Sequence, residues 1–167
     1  MLAPRIFVFL AITGASGAVI AAAAEDSPPP PAVFVEKAAQ DGMTEVELAK
    51  IALDRSQNTA IRKFAQRMVT DHGKANQELA SIAKTKGIEV PASLDTEHRE
   101  VVDKLQANEG SAFDIEYSRH MNMDHTMAIT LFEAEANASD KDFASFAKKT
   151  LPTLKEHKTM AGKLPGQ

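Results

Sequence analysis

The chain has no cysteine, no tryptophan and a single tyrosine. Without cysteine there are no disulfides, no thiol nucleophile and no residue to carry an N-terminal lipid. Core burial alone must hold the fold together. A basic surface is also missing: 19 lysines and arginines against 23 acidic residues give a formal charge of −4. With so few aromatics, that balance argues against nucleic acid and against an anionic membrane surface as partners. No glycine-rich phosphate loop appears, and no serine stands in a nucleophile-elbow context. Strand-like alternation is absent as well.

One long apolar run is present, and it comes first. Arg5 precedes residues 6–20, which are apolar or small, and Ala22, Ala23 and Ala24 offer a small-residue cleavage site. This is the form of a secretory signal peptide; a retained membrane anchor is the rival reading. Cleavage after Ala24 leaves 143 of the 167 residues and removes Arg5, taking the charge from −4 to −5. The expectation is an exported protein of the periplasm or cell envelope, with no transmembrane segment after cleavage. Residues 25–32 read as a proline-rich leader and residues 33–165 as one domain.

Helical periodicity fills that domain. The spacing predicts helices over 33–55, 60–86, 94–107, 111–136 and 140–163. Gly42 interrupts the first, and Thr44 with Glu47 has the form of a capping box, so a break and restart is expected there. Asn58 or Thr59 should cap the second helix, and Gly87 should close it. Ser111 with Asp114 resembles a cap for the fourth. In the last, Pro152 implies a kink or a restart capped by Thr150. Four long amphipathic helices and one short one predict an all-α four-helix bundle with an extra helix. Its core should include Phe34, Phe64, Met68, Leu79, Phe113, Phe132, Phe146 and Leu154.

Three of the apolar stripes are interrupted by histidine. His72 falls in step with Ile61, Ala65, Met68, Ala75, Leu79 and Ile82. His125 follows Tyr117 and Met121 and precedes Ala128 and Phe132. His157 follows Phe143, Ala147, Thr150 and Leu154 and precedes Ala161 and Leu164. On the first helix Glu45 shares the phase of Phe34, Ala38, Leu48 and Ala52. Three imidazoles and a carboxylate from four helices form a donor set for zinc, copper or another divalent ion. The metal-site candidates are therefore His72, His125, His157 and Glu45, with Asp71 or Asp124 to orient a ring. Met68, Met121 and Met160 lie within one turn of these histidines. Thioether ligation would favour copper(I); gap-filling in an alanine-rich core is the plainer reading. The histidines too have a plain reading, as a buried hydrogen-bond network with Tyr117, Asp114 and Asp124 that binds nothing. His98 lies in a charged stretch that reads as a solvated face, and His120 reads as surface or rim.

Four blocks also carry a family resemblance: FVEKAAQDGMTEVELA from Phe34, FAQRMVTDH from Phe64, FDIEY from Phe113 with His125 and Leu131-Phe132 after it, and FAKKTLPTLKEH from Phe146. Together they resemble the bacterial domain of unknown function 4142 family. The resemblance implies an exported protein with a ferritin-like helical bundle and supplies no established activity. Di-iron bundles carry Glu-x-x-His pairs. Here the residues three before the histidines are Val69, Asn122 and Leu154, which argues against a ferroxidase despite the implied fold. Two functional readings remain: a bundle that binds a metal or small ligand in its core, and a non-catalytic structural or stress-related envelope protein. A metal-dependent enzyme of unknown reaction is a weaker third, and the protein partners are open.

Overall fold

A computed structural model describes residues 27–166, which form five α-helices and no strand. The expected signal peptide, residues 1–24, lies outside the described residues. The elements are α1 (Pro31–Arg55), α2 (Thr59–Thr85), α3 (Thr96–Gln106), α4 (Gly110–Glu135) and α5 (Lys141–Ala161). Among the described residues no helix is long and apolar enough to cross a membrane.

Local chemistry sets most boundaries. Pro31 opens α1 at its first turn, where a missing N–H costs nothing. The side chain of Asn58 accepts from the N–H groups of Ala60 and Ile61 and caps α2. Gly87, at φ 66°, ends it. The Gly87 N–H donates to the Lys84 carbonyl and the Ile88 N–H to the Ala83 carbonyl, which is a Schellman closure. Asp95 and Asp140 cap α3 and α5 in the same manner as Asn58.

Two expected interruptions and one expected cap are absent. Helix α1 runs through Gly42 without a break. A Cβ there would stand 2.1 Å from Asn76 Oδ1, so the glycine makes room for α2 rather than ending α1. Thr44 does not cap; its hydroxyl donates to the Gln40 carbonyl at 2.8 Å. Helix α5 likewise continues through Pro152, and the Thr150 hydroxyl donates to the Phe146 carbonyl at 2.8 Å. At the start of α4 no side chain caps, so Ser111 does not serve that role. Within α1 and α5 packing of an apolar face outweighs the local signal.

Helix α1 packs on α2 and α4, and α5 packs on the same two. Two antiparallel hairpins, α1–α2 and α4–α5, are therefore joined by the long crossover that contains α3. This is a ferritin-like four-helix bundle with one extra helix laid along α1 and α4. All eight expected core residues are buried.

The core is divided in two. Around Phe34, Leu79, Ala128, Phe132, Phe143, Phe146 and Leu154 one apolar lobe closes. There the Phe34 ring meets Phe132, Phe143 and Phe146 edge-on, with centroids 5.3, 5.8 and 6.4 Å apart. The other lobe gathers Leu48, Ile61, Phe64, Met68, Phe113, Tyr117, Met121 and Ala161. Each fully buried large side chain contributes about 1.5–3 kcal/mol. On every long helix the change of lobe falls at one polar residue: Glu45, His72, His125 or His157.

His98, expected on a solvated face, is instead half-buried and clamps α3. Its Nδ1 contacts Asp95 Oδ1 at 2.8 Å and its Nε2 contacts Asp41 Oδ1 on α1 at 3.2 Å. Burial works against its charge, but the hydrogen bonds to Asp95 and Asp41 win and raise its pKa above the usual 6.5. A raised histidine pKa means stability that is full below the unfolded value and is lost as pH rises through the folded one. The stability difference between the native protein and His98→Ala should therefore be larger near about pH 5.5 than near about pH 8, on either side of the ordinary histidine range. Urea unfolding at the two pH values checks this; an equal difference at both would remove the charged clamp.

Candidate metal centre

The polar layer begins with helix phase. His72, His125 and His157 point inward because they occupy positions on apolar stripes, and their exposures are 6, 0 and 0 %. They meet at one level of the bundle. Ring centroids are 5.5 Å apart for His72 and His125, 5.2 Å for His72 and His157, and 5.4 Å for His125 and His157. One ring nitrogen from each lies within 4.8 Å of the other two, and all three residues are buried. Phe64 closes the layer on the side of its own lobe, with centroids 6.3 Å from His125 and 6.2 Å from His157.

Hydrogen bonds decide which nitrogens carry protons. His125 Nδ1 lies 2.8 Å from the Met121 carbonyl oxygen, which can only accept. The proton is therefore on Nδ1, and Nε2 is a bare lone pair. That Nε2 is buried and has no partner. His157 Nε2 lies 3.0 Å from Asp71 Oδ2. Burial works against the Asp71 charge, but hydrogen bonds from Arg67 and His157 hold its pKa below the usual carboxylate value. The carboxylate accepts, so His157 is protonated on Nε2 and its lone pair is Nδ1. That Nδ1 lies 3.2 Å from His72 Nε2.

His72 is thus held from both ends. Its Nδ1 lies 2.7 Å from Glu45 Oε2. Burial raises the pKa of Glu45 to about 7, against the opposing pull of His125. Burial also lowers those of His72 and His157 to about 4. With Glu45 protonated, its O–H donates to His72 Nδ1, the His72 Nε2–H donates to His157 Nδ1, and the His157 Nε2–H donates to Asp71. If Glu45 ionises, His72 keeps its proton on Nδ1. Two lone pairs then face each other across 3.2 Å, which only a cation between them can stabilise. Burial keeps His125 neutral too, with Glu45 opposing. Three neutral imidazoles are the form that ligates metal.

All four residues singled out from sequence are brought together, in two roles. The histidines converge. Glu45 reaches the Nδ1 atoms of His72 and His125, at 2.7 and 3.3 Å. Asp71 orients His157, and the chain of contacts continues outward through Arg67 (Nε 2.9 Å from Asp71) to a bidentate pair with Glu156 at 3.0 and 2.7 Å. Asp124 stands beside Glu45; burial, then Glu45, raises its pKa well above the usual value. Tyr117 stays outside the network, its hydroxyl buried and unpartnered. The Met121 carbonyl was not anticipated; an i−4 main-chain acceptor leaves no mark in residue type. Met68 and Met121 belong to the Phe64 lobe, as core filling predicts. A cavity of about 30 Å³, enough for one water, adjoins Glu45 and His72 and is lined also by Asp71, Asn76, Thr150 and Thr153.

A family model described as a domain of unknown function (DUF4142) matches residues 17–164, and the chain belongs to that family. No curated protein matches it. Among solved structures, a DUF305 fragment from Deinococcus radiodurans is similar at TM-score 0.69 and 19 % identity, over 81 % of this chain and 96 % of that one. CopM in its Cu(II)-bound form is similar at TM-score 0.68 and 17 % identity, over 81 % and 95 %. Both show the shared helical fold.

The proton positions are open to direct measurement. Long-range ¹⁵N–¹H spectra of the metal-free protein should show His125 protonated on Nδ1 and His157 on Nε2. On acidification His72 and His157 should remain neutral until the pH approaches about 4. Ordinary titration near 6.5 would mean that water reaches the rings and that the layer is not closed.

Proposed function

We propose that this protein binds one copper(II) ion through His72 Nε2, His125 Nε2 and His157 Nδ1, with zinc as the competing borderline ion. The observation that carries the reading is the buried His125 Nε2 lone pair, unpartnered, in a layer where His72 Nε2 and His157 Nδ1 already stand 3.2 Å apart. Tetrahedral or trigonal ligation with metal–nitrogen bonds of about 2.0–2.1 Å puts ligand nitrogens about 3.3–3.6 Å apart. His72 Nε2 and His157 Nδ1 already stand close to that spacing, and one nitrogen of each of the three rings lies within 4.8 Å of the other two. Imidazole suits both ions, and affinity rises toward copper(II) in the divalent series. The likeness to a protein solved with Cu(II) supports the choice of ion. Asp71, the Met121 carbonyl and, once ionised, Glu45 each accept from the far nitrogen of one ring, the arrangement that fixes tautomer and aim in metal centres. Binding expels the proton that Glu45 otherwise gives to His72.

Calorimetric titration of the tag-free, chelator-treated protein should show one copper(II) per chain and release of about one proton, read from the buffer dependence of the heat. His72→Ala and His157→Ala should abolish binding. Asp71→Asn and Glu45→Gln should weaken it about 10–100-fold, the usual effect of losing an orienting partner. A loss for Glu45→Gln as complete as for His72→Ala would make Glu45 a ligand. Native protein that takes up neither copper(II) nor zinc would leave a structural histidine network.

We also propose that the protein acts outside the cytoplasm, in the periplasm or envelope. The support is the Arg5, apolar-run and Ala22–Ala24 pattern at the start of the chain. Mass spectrometry of the envelope fraction should find a mature N-terminus at Glu25 or a close neighbour; a chain retaining Met1 would indicate an anchor instead.

A further inference from the structure

Helix α4 presents a second donor set on its outer side. His120, Met123, Asp124 and Met127 follow one another at helical spacing and share one face. Together they line a cavity of about 290 Å³ with Asp41 and Thr44 of α1 and with Glu97, His98 and Val101 of α3. Met123 and Met127 are 58 and 55 % exposed. A methionine that fills a gap in a core is covered; these two hold their thioethers out beside the cavity. His120 is half-buried, yet its Nε2 is fully enclosed and has no hydrogen-bond partner.

The same observations restrict the ion. Both ring nitrogens of His98 are committed to Asp95 and Asp41, which removes it as a donor. Among the described residues, His72, His125 and His157 make the one group of three nitrogen or oxygen side chains close enough to hold a metal. The outer face therefore lacks the donors that zinc or copper(II) needs. It has one neutral imidazole and two mobile thioethers, the soft set that selects a monovalent d¹⁰ ion. We propose that His120, Met123 and Met127 form a second site, for copper(I), separate from the buried centre and independent of whether that centre binds metal.

The test uses the mature chain and silver(I) as an air-stable copper(I) probe. The protein is first saturated with zinc to fill any imidazole site. Silver(I) should then shift the ε-methyl resonances of Met123 and Met127 and the His120 ring, at one ion per chain. Copper(I) competition against a chromophoric chelator under anaerobic conditions should show at least a tenfold loss of affinity in Met123→Leu/Met127→Leu and in His120→Ala. Zinc and copper(II) stoichiometry should stay unchanged in both. The two methionines are exposed, so the leucine variant is expected to fold, and its circular dichroism confirms that. Unaltered copper(I) affinity in both variants, or silver shifts confined to His72, His125 and His157, would overturn the site. Conversely, His72→Ala should lose the buried site and keep the outer one, so failure of one proposal leaves the other standing.

Discussion

Everything in this bundle is arranged around the need to satisfy a polar layer inside a core that has no covalent cross-link. Four ionisable groups, Glu45, His72, His125 and His157, lie at 0–6 % exposure in the middle of an apolar interior. Charging any one of them there is expensive, and leaving a donor or acceptor unpaired costs about 1–3 kcal/mol. The layer meets most of that cost by sharing protons along a line from Glu45 to Asp71 and by borrowing the Met121 carbonyl, and leaves His125 Nε2 and Glu45 Oε1 unpaired. Two apolar lobes on either side exclude water and give the contacts their strength. Replacing buried polar groups by well-packed apolar side chains of similar volume is often neutral or stabilising, so the layer is not required to hold the bundle together. Its presence therefore asks for a reason other than stability.

Ligand geometry follows from the same hydrogen bonds. An isolated imidazole can present either nitrogen, but here the acceptor beside His125 and the acceptor beside His157 fix which nitrogen is bare, while His72 follows the protonation of Glu45. Rotating a ring would break the bond to Met121, Asp71 or Glu45, so all three rings are held in place, and His72 Nε2 becomes bare only when Glu45 ionises. The Asp71–Arg67–Glu156 chain carries this restraint to the surface between α2 and α5. It keeps Asp71 ionised although burial alone would raise its pKa. In this way a surface ion pair, worth little by itself, gains a structural role through the residue it holds.

Much of this was legible in the sequence because helical phase is a strong signal. The inward face of each long helix, the buried phenylalanines and the three histidines follow from spacing alone. That the histidines meet at one level was less plain, since His157 falls late in α5 and His72 midway along α2. The topology explains it. Helices α1 and α5 start at the same end of the bundle, and Glu45 and His157 lie 14 and 16 residues from their starts, about 21 and 24 Å along. Local stop signals were read less well. Gly42, Thr44, Thr150 and Pro152 all have the chemistry of breaks, but each sits where continuing the helix buries more surface than a break would save. His98 was misjudged for the converse reason: charged neighbours in sequence are also its partners across α1 and α3. Proton positions could not be read at all, because they depend on atoms contributed by several helices and by the main chain.

Fold and chemistry separate cleanly in this molecule. The crossover bundle is one that hosts di-iron carboxylate centres elsewhere, and its inward positions at mid-height are where such ligands stand. Here the inward positions at the level of the polar layer carry three imidazoles and Glu45, whose Oε2 lies 2.7 Å from His72 Nδ1. A carboxylate-rich layer holds two hard ions and bridges them. A layer of three imidazoles is instead a donor set suited to a single borderline ion. Likeness of fold at 17–19 % identity consequently says how the helices are placed, while the side chains at four positions determine what the interior can bind. The reading of this protein rests on those positions, and on which nitrogen of each ring is left bare.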